Sequence, residues 1–222
     1  MHLSQPYYQW IKVKLVVYTA IFGSYDKLID PEIVSPDIDY VCFTDQPLHS
    51  DVWDIRHVPA TGNTTLQARG YKLLPHIQFP DHDVSIWCDG SCHPVDMSAF
   101  AEQLQDADMF AFDHGRDCIY KEGEACIQHK KDDPAVIKAQ MRRYAKDGYP
   151  QNNGLIATGM IIRKHNDPDM IRLHEAWYEE VIRGSIRDQL SFNYCLSKYP
   201  INLRVIPFGK HKQWFKWRKH GR

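Results

Sequence analysis

Residues 84–94 read VSIWCDGSCHP, and an apolar run in this stretch stops abruptly at Asp89. What structure and what kind of site this stretch forms is the central question for predicting the fold. The run before it is rich in β-branched and aromatic side chains, which predicts a buried strand. Cys88, Cys92 and His93 crowd the same point. Four interpretations are open: a zinc site, a redox pair, a strand-ending turn, or the metal and phosphate corner of an enzyme.

Strands and helices alternate on both sides of this stretch. Apolar or alternating runs predict strands at 12–20, 39–45, 53–59, 84–89, 107–113 and 154–165. Helical spacing and capping residues predict helices at 65–77, 96–104, 135–147, 167–184 and 187–199. This alternation predicts an α/β fold with a mostly parallel sheet, as one domain over residues 1–207 followed by a tail at 208–222.

Polar residues follow three of the predicted strands. They are Thr19 to Gly23, Asp45, and Asp89 to Ser91. In open α/β sheets, ligands bind in the crevice outside the carboxyl ends of the strands. We therefore expect these three segments to line one pocket.

The tripeptide Asp89-Gly90-Ser91 is compatible with a cation site. A carboxylate at a strand end can hold Mg²⁺ or Mn²⁺, which take oxygen ligands and keep waters or substrate phosphates. The alternative is an Asp-Gly turn that only ends the strand. Structural zinc requires four closely spaced ligands, and the redox motif requires C-x-x-C spacing. Cys88 and Cys92 meet neither requirement.

Basic and polar segments complete the candidate site. Arg69 and Lys72 lie one helical turn apart, so they share a face that can bind a diphosphate or can simply be solvated. Residues 112–122, FDHGRDCIYKE, predict a polar substrate-contacting loop. Residues 185–192, SIRDQLSF, contain either a carboxylate that hydrogen-bonds an incoming hydroxyl or merely a helix N-cap.

Composition and motifs exclude several classes of protein. Hydrophobic residues make up 43% and charged residues 25% of the 222 residues, which is usual for a globular protein that folds without a metal or disulfide. No apolar run is long enough to span a membrane, and no signal-peptide pattern is found. We expect a cytoplasmic protein with six reduced cysteines. P-loop, dinucleotide and serine-hydrolase motifs are absent.

The charge is distributed unevenly along the chain. The net charge is −1, but no acidic residue follows Asp188, whereas eight Lys or Arg do. Such asymmetry predicts an anionic partner, such as a phosphate, a lipid headgroup or nucleic acid. The tail at 208–222 interleaves six of these cations with aromatic residues. It either makes peripheral contact with the inner face of a membrane or packs its aromatics on the domain while its cations face the diphosphate.

The segments described above resemble, in order, a known family. The chain is similar to the GT-A-fold glycosyltransferases and, more narrowly, to the family once called DUF616, now the TOD1/MUCI70 glycosyltransferase-like domain. The resemblance runs from residue 15 to about 195, through VVYTAIFGSYDKL, YVCFTD, ARGYKLLPH, SIWCDGS, FDHGRDCIYKE, GLIATGMIIRKHN and SIRDQLSF. It implies a GT-A-like, Rossmann-type single domain that uses a nucleotide-sugar donor.

The resemblance also implies roles for individual residues. The donor would be bound by Thr19, Ala20, Phe22, Tyr25, Asp45, Arg69, Lys72, Asp89 and Gly90. The acceptor or its sugar would be bound by His114, Arg116, Thr158, Gly159, Asp188 and Gln189. A divalent cation, Mn²⁺ or Mg²⁺, would be bound by Asp89, Ser91 and His211. The motif departs from the D-x-D of GT-A enzymes, since Ser91 stands where a second acidic residue is usual.

Catalysis would then depend on Arg69, Lys72 and Asp188. Charge develops on the leaving diphosphate, and a divalent ion with the two basic residues would stabilise it. Asp188 would deprotonate the acceptor in an inverting enzyme, or only position a sugar in a retaining one. The expected activity is UDP-dependent hexosyl transfer in polysaccharide biosynthesis, to a glycan or lipid-linked acceptor, with no clear nucleic acid role. The alternatives are a hydrolase on a similar sheet and a non-catalytic module that binds glycan or nucleic acid.

Overall fold

A computed structural model describes residues 13–218 of the chain. Its strands are β1 (Leu15–Ile21), β2 (Ile38–Thr44), β3 (Asp54–His57), β4 (Val84–Cys88), β5 (Cys92–Pro94), β6 (Met109–Asp113), β7 (Ile156–Arg163), β8 (Leu203–Ile206) and β9 (Phe215–Trp217). Its α-helices are α1 (Thr64–Leu73), α2 (Pro75–Gln78), α3 (Met97–Ala101), α4 (Ile119–Gln128), α5 (Pro134–Lys146), α6 (Pro168–Arg183) and α7 (Gln189–Lys198). Short 3-10 helices cover Glu102–Leu104 and Phe208–Gln213.

The central sheet has seven strands in the order β3-β2-β1-β4-β7-β6-β8. Strand β7 runs antiparallel to both of its neighbours, β4 and β6, whereas the other neighbouring pairs are parallel. Strands β5 and β9 form a separate two-stranded antiparallel sheet. The predicted α/β domain, with a mixed and mostly parallel sheet flanked by helices, is confirmed.

Apolar side chains cover both faces of this sheet. Along β1, Val16 and Tyr18 join the core that packs under α1, α6 and α7, while Val17 and Ile21 join the core on the opposite face, with α3. A strand buried on both faces reads as a nearly continuous apolar run. This burial explains why the sequence identified β1, β2 and β4 so clearly.

Helix α6 begins as its sequence predicts. The side chain of Asp167 accepts hydrogen bonds from the backbone N–H groups of Asp169 and Met170, and Pro168 takes the first helical position. Asn63 caps α1 in the same way, by accepting from the N–H of Leu66. This cap fixes the start of the helix that carries the basic pair.

The helix predicted at 65–77 is two helices. It breaks at Leu74, where α1 ends and α2 begins with Pro75. Proline has no N–H to continue the helical hydrogen bonds, and it disfavours the helical conformation in the residue before it. The break leaves the carbonyl groups at the end of α1 available to the sheet beneath.

The loop predicted at 112–122 is wrong at its carboxyl end, because α4 begins at Ile119. Phe112 and Asp113 belong to β6, in agreement with the strand predicted at 107–113. Gly123 weakens the helical signal in the sequence, but glycine suits the close packing of α4 on α5. A Cβ at this glycine would lie 3.2 Å from Cγ of Met141 on α5. Strands β5, β8 and β9, of three or four residues each, are too short for alternation to identify them.

The described part of the predicted tail packs on the domain. Trp214 and Phe215 are buried next to Phe100, which agrees with the interpretation that the tail's aromatics pack inward. Lys216 makes an ion pair with Glu32 at 2.5 Å. Within residues 13–218 no helix is long and apolar enough to cross a membrane. Membrane contact and cytoplasmic location stay predictions, and residues 219–222 lie outside the described part.

Candidate functional site

The candidate site lies at the carboxyl edge of the parallel strands. Asp89 follows β4 directly, and its backbone N–H donates to the carbonyl of Gly159 at 2.8 Å. Because β7 runs antiparallel to β4, its first residues lie at this same edge. The edge therefore holds Asp89 opposite Thr158 and Gly159, which the sequence placed in the acceptor region.

Lys72 of α1 is the centre of the site, and its side chain is 0% exposed. Its Nζ lies 2.7 Å from Oδ2 of Asp188, 3.3 Å from Oδ1 of Asp89 and 3.4 Å from Oγ1 of Thr158. Arg69, one turn earlier and 12% exposed, places Nε 3.0 Å from Oδ1 of Asp188. The prediction that Arg69 and Lys72 share a face is confirmed, and the solvated alternative is wrong.

Asp188 precedes α7, but it does not cap that helix with its side chain. One carboxylate oxygen faces Arg69, and the other accepts from Thr158 at 3.0 Å and from Lys72. Burial alone would raise the pKa of Asp188, but the charges of Arg69 and Lys72 hold it well below its ordinary value. Asp188 is therefore a fixed anion whose two oxygens are both occupied.

A third cation, Arg187, stands beside this network. Burial would lower the pKa of its guanidinium, but the neighbouring carboxylate of Asp188 reverses the effect and raises that pKa, and Asp89 adds to the rise. Within the described part of the chain, Nε of Arg187 is buried without a hydrogen-bond partner. Arg69, Lys72 and Arg187 thus place three cations around Asp188, and the unpartnered Nε of Arg187 is a donor that an anionic ligand can use.

Several side chains surround the carboxylate of Asp89. Its Oδ1 accepts from Nε1 of Trp87 at 2.7 Å and faces Lys72. The next residue, Gly90, makes room for Asp26 from the loop after β1, because a Cβ there would lie 2.7 Å from Cβ of Asp26. A second carboxylate thus comes close to Asp89 from a part of the chain that the sequence did not associate with it.

The turn after β1 is hydrogen-bonded to the residue that follows β2. Both carboxylate oxygens of Asp45 accept from the backbone N–H of Gly23, at 3.0 and 3.2 Å. Gly23 and Ser24 both have positive φ, at 66° and 56°, a conformation that favours glycine and needs support at serine. Asp45 therefore shapes the turn, whereas its predicted contact with the donor stays a prediction.

Of the residues on and after β1 that were predicted to bind the donor, some are buried in the core and others border the candidate site or solvent. Ala20 and Phe22 are buried in the core, where Phe22 packs on Tyr71, so their side chains do not face the cleft. Tyr25 is exposed. Thr19 is buried beside Asp89, and among the described residues its hydroxyl has no hydrogen-bond partner. Successive side chains of a strand point to opposite faces of the sheet, so Thr19 borders the site whereas Ala20 points to the other face.

An open cavity of about 490 Å³ lies between the loops after β1 and β2. Its walls come from Ser24 to Asp30 and from Gln46 to Ser50. It shares Lys27 and Leu28 with a smaller pocket lined by Thr19, Asp89 and Gly90. The volume is within the range of small-molecule sites, and the shared residues place it next to the small pocket at Asp89.

The residues predicted for the acceptor form a second polar group. His114 follows β6, and burial lowers the pKa of its ring, against the opposing effect of Glu122. Arg116 pairs with Glu122 at 2.5 Å. The charge of Arg187 acts on His114 as well as on Asp188, which places this group next to the central network. In the described part of the chain, His114 Nδ1 and Gln189 Nε2 are buried and lack hydrogen-bond partners.

The predicted metal ligands do not form a site that fits a tightly held ion. Among residues 13–218, no group of three or more His, Cys, Asp or Glu side chains is arranged to hold a metal. The Lys72 ammonium, 3.3 Å from Asp89, opposes a cation there. Ser91 is buried, and His211 packs on Phe215. The divalent cation stays a prediction, and no step below is routed through one.

The cysteines of residues 84–94 are structural. All six cysteines of the described chain are buried free thiols. Burial raises the pKa of both Cys88 and Cys92 far above the ordinary value of a thiol. A thiol held protonated is neither a reactive nucleophile nor a metal ligand. The zinc and redox interpretations therefore have no support in the structure.

Sequence reasoning missed two residues that the structure brings to the site. In the sequence, Arg187 was considered only as the neighbour of Asp188. Its position beside a carboxylate just before a helix could have indicated that it is a further charged residue of the site. Trp217 was assigned to the tail, yet its indole lies against Gly159, next to the turn of Asp89. Only the pairing of β9 with β5 reveals that position, since the two strands are far apart in the chain.

The family comparison agrees with this geometry. The model of the TOD1/MUCI70, glycosyltransferase-like domain matches residues 51–216, more than half of the chain, and the match includes α1, β4, β7 and α7. We find no match to this chain among curated proteins. The matched segment contains the four charged residues Arg69, Lys72, Asp89 and Asp188. The chain therefore belongs to the TOD1/MUCI70 glycosyltransferase-like domain family.

Proposed function

We propose that this chain transfers a sugar from a UDP-linked donor to a hydroxyl group of a glycan acceptor. The supporting observation is the buried charge network of Arg69, Lys72, Asp89 and Asp188 at the carboxyl edge of the sheet, where Asp89 also lines a small pocket. Such an edge is where open α/β sheets bind ligands. Family membership supports sugar transfer in general, and the charges support a diphosphate leaving group.

Transfer breaks the bond between the anomeric carbon of the sugar and the diphosphate oxygen, and UDP departs with the electron pair. A new bond forms between that carbon and the acceptor oxygen, which loses its proton. Negative charge therefore grows on the diphosphate, and fixed cations near it lower the barrier. The guanidinium of Arg187 is available for this role, because its buried Nε has no hydrogen-bond partner among the described residues, and Arg69 lies nearby on the same carboxylate, Asp188.

Lys72 contributes in a different way. It has no exposed surface and lies close to oxygens of Asp188, Asp89 and Thr158, so we assign it to positioning rather than to direct contact with phosphate. Its ammonium joins α1, β4, β7 and the start of α7 at one point. Preorganised charge of this kind costs no rearrangement during the reaction.

Asp188 is better suited to positioning than to proton transfer. An effective base has a pKa near the working pH, whereas the cations around Asp188 hold its pKa well below even the ordinary value. Both of its oxygens already accept hydrogen bonds or ion pairs. We therefore assign the acceptor's proton to an oxygen of the departing diphosphate, as a retaining enzyme allows.

The cavity between the loops after β1 and β2 suits the nucleoside part of the donor. It shares Lys27 and Leu28 with the adjacent pocket beside Asp89. A nucleoside there would direct its diphosphate towards Arg69. Asp45 would act by holding the Gly23 turn that forms one wall.

The proposal is tested by a binding and turnover screen on the full chain. UDP should raise the melting temperature more than GDP or uridine, with and without Mn²⁺, because ligand binding stabilises the folded state. A panel of UDP-sugars should then reveal slow hydrolysis or transfer to added oligosaccharides. A chain stabilised by DNA or RNA in a salt-sensitive way, but by no nucleotide, would instead be a binding module.

A further inference from the structure

The turn between α6 and α7 covers residues 184–188 and ends with two residues of the candidate site, Arg187 and Asp188. Nε1 of Trp177 on α6 donates to the carbonyl of Asp188 at 2.7 Å, which fixes the end of the turn. The direction of the Arg187 side chain depends on the backbone before it. The contacts of residues 184–186 therefore decide where the guanidinium lies.

Asp132, which lies two residues before α5, holds the middle of this turn. Its Oδ2 accepts from Oγ of Ser185 at 2.6 Å and from the backbone N–H of Ile186 at 2.9 Å. The same hydroxyl of Ser185 accepts from the backbone N–H of Arg187 at 3.1 Å. A chain of hydrogen bonds thus runs from the carboxylate of Asp132 to the backbone of Arg187.

Helix α5 itself fixes the start of the turn. Oε1 of Gln140 accepts from the backbone N–H of Ser185 at 3.0 Å. A Cβ at Gly184 would lie 2.7 Å from Cδ of Gln140, so glycine permits this close approach to the helix. Ser185 is 0% and Gln140 is 2% exposed, so water does not compete for the bond between them. The first half of the turn is therefore docked on α5 and on the segment before it.

These bonds connect Asp132 to the charge network through the backbone of the turn. We propose that Asp132 is a positioning residue of the candidate site, which fixes the turn so that the guanidinium of Arg187 lies beside Asp188 and can bind a diphosphate oxygen. The inference rests on the proposed function, because it takes the diphosphate as the ligand of Arg187. A cation that is already held in place binds an anion without the entropic cost of being ordered. Loss of Asp132 should therefore weaken the diphosphate and spare the nucleoside.

The test compares UDP, uridine and inorganic pyrophosphate by titration calorimetry on the full chain. D132A should raise the Kd for UDP and for pyrophosphate about three- to tenfold, the weight of about one hydrogen bond, and leave that for uridine within about twofold. S185A should match D132A, because it removes the hydroxyl that links Asp132 to Arg187. D132N keeps an oxygen that can accept the same two bonds, so it should restore most of the lost affinity.

D133A is the matched control. The carboxylate of Asp133 belongs to the same segment, but it caps α5 by accepting from the backbone N–H of Ala135 at 2.7 Å. Its loss should lower the melting temperature and leave the Kd values for UDP and pyrophosphate unchanged. A purely structural role of Asp132 predicts instead that D132A and D133A weaken binding in proportion to their losses of melting temperature. That result would overturn the inference.

A double variant tests whether Asp132 acts through Arg187. R187A should weaken UDP more than D132A does, and D132A/R187A should bind no more weakly than R187A, since the positioned group is gone. Additive losses in the double variant, or wild-type affinity of D132A for UDP and pyrophosphate, overturn the inference. A wild type that binds pyrophosphate but not UDP overturns the proposed function, and pyrophosphate then still tests Asp132. A wild type that binds neither overturns both.

Discussion

The ammonium of Lys72 lies 2.7 Å from Oδ2 of Asp188, with both side chains nearly free of solvent. The two residues come from α1 and from the start of α7, and β7 lies between them through Thr158. A buried ion pair of this kind contributes little net stability, but breaking it leaves an uncompensated charge. Its value here lies in fixing the geometry of the charges around Asp89.

Removal of Lys72 alone should therefore destabilise the chain severely. Lys72→Met should lower the free energy of unfolding by about 3–5 kcal/mol, because Asp188 loses its closest partner. The double variant with Asp188→Asn should recover about 1–3 kcal/mol of that loss, as expected for coupled neighbours. Urea unfolding of the two single variants and the double variant measures this coupling. Additive losses would contradict a direct Lys72–Asp188 interaction.

Removal of Arg187 should weaken binding of the diphosphate specifically. Arg187→Ala should raise the Kd for UDP about 10- to 100-fold, the range for loss of a charged hydrogen bond, and leave uridine binding unchanged. Lys121→Ala is the control, because Lys121 is exposed on the surface, where it pairs with Asp117. Calorimetry at two salt concentrations gives the Kd values. Equal weakening of UDP and uridine would point to a misfolded pocket.

The predicted divalent cation is tested by chelation. The Lys72 ammonium near Asp89 leads us to expect a Kd for UDP in EDTA within about threefold of its value in Mn²⁺, less than the weight of one charged hydrogen bond. Asp89→Asn should leave unchanged the difference between the Kd for UDP in EDTA and its value in Mn²⁺. Loss of UDP binding in EDTA, restored by Mn²⁺ in the wild type but not in this variant, would instead establish Asp89 as a metal ligand.

The turn after β1 should depend on Asp45. Asp45→Ala removes both acceptors for the N–H of Gly23, whereas Asp45→Asn keeps one oxygen. We expect uridine and UDP to weaken together, more for Ala than for Asn, because the turn forms one wall of the nucleoside cavity. Kd values of both ligands measure the effect. An unchanged uridine affinity in Asp45→Ala would place the nucleoside elsewhere.

Stability should fall in mild acid because of two buried histidines. Burial lowers the pKa of His165 to about 4 and that of His174 well below its ordinary value. The unfolded chain, with histidine pKa values near 6.5, binds more protons between about pH 6.5 and 4, so the free energy of unfolding decreases as the pH falls through that window. His165 alone should account for about 2 kcal/mol between pH 7 and 5.

Paired variants test the origin of this slope. His174 contacts the carbonyl of Leu73 through Nδ1, and His165 contacts that of Phe79 through Nε2. Asn at 174 and Gln at 165 keep an amide donor at about the same reach but do not titrate. Urea unfolding at pH 7, 6 and 5 should show a flatter dependence in both variants. An unaltered slope would assign the acid sensitivity to other groups.

Much of the site could be predicted from local sequence. The abrupt end of β4 at Asp89 locates the carboxyl edge, and the spacing of Arg69 and Lys72 gives a shared helix face. These features depend on residues close together in the chain, so periodicity and strand ends reveal them. The loop expected at 112–122 is wrong at its end because Gly123 lowers helix propensity, which hides a helix that packs closely on α5.

By itself, the sequence determined an α/β domain, the strand end at Asp89 and the basic face of α1. Only the tertiary structure decided that Asp188 is a buried anion and not a cap, that Arg187 is a third cation, and that Trp217 lies on Gly159. Each of these contacts joins residues from distant segments. Their energies come from burial, which sets the strength of charge interactions and is a property of the whole fold.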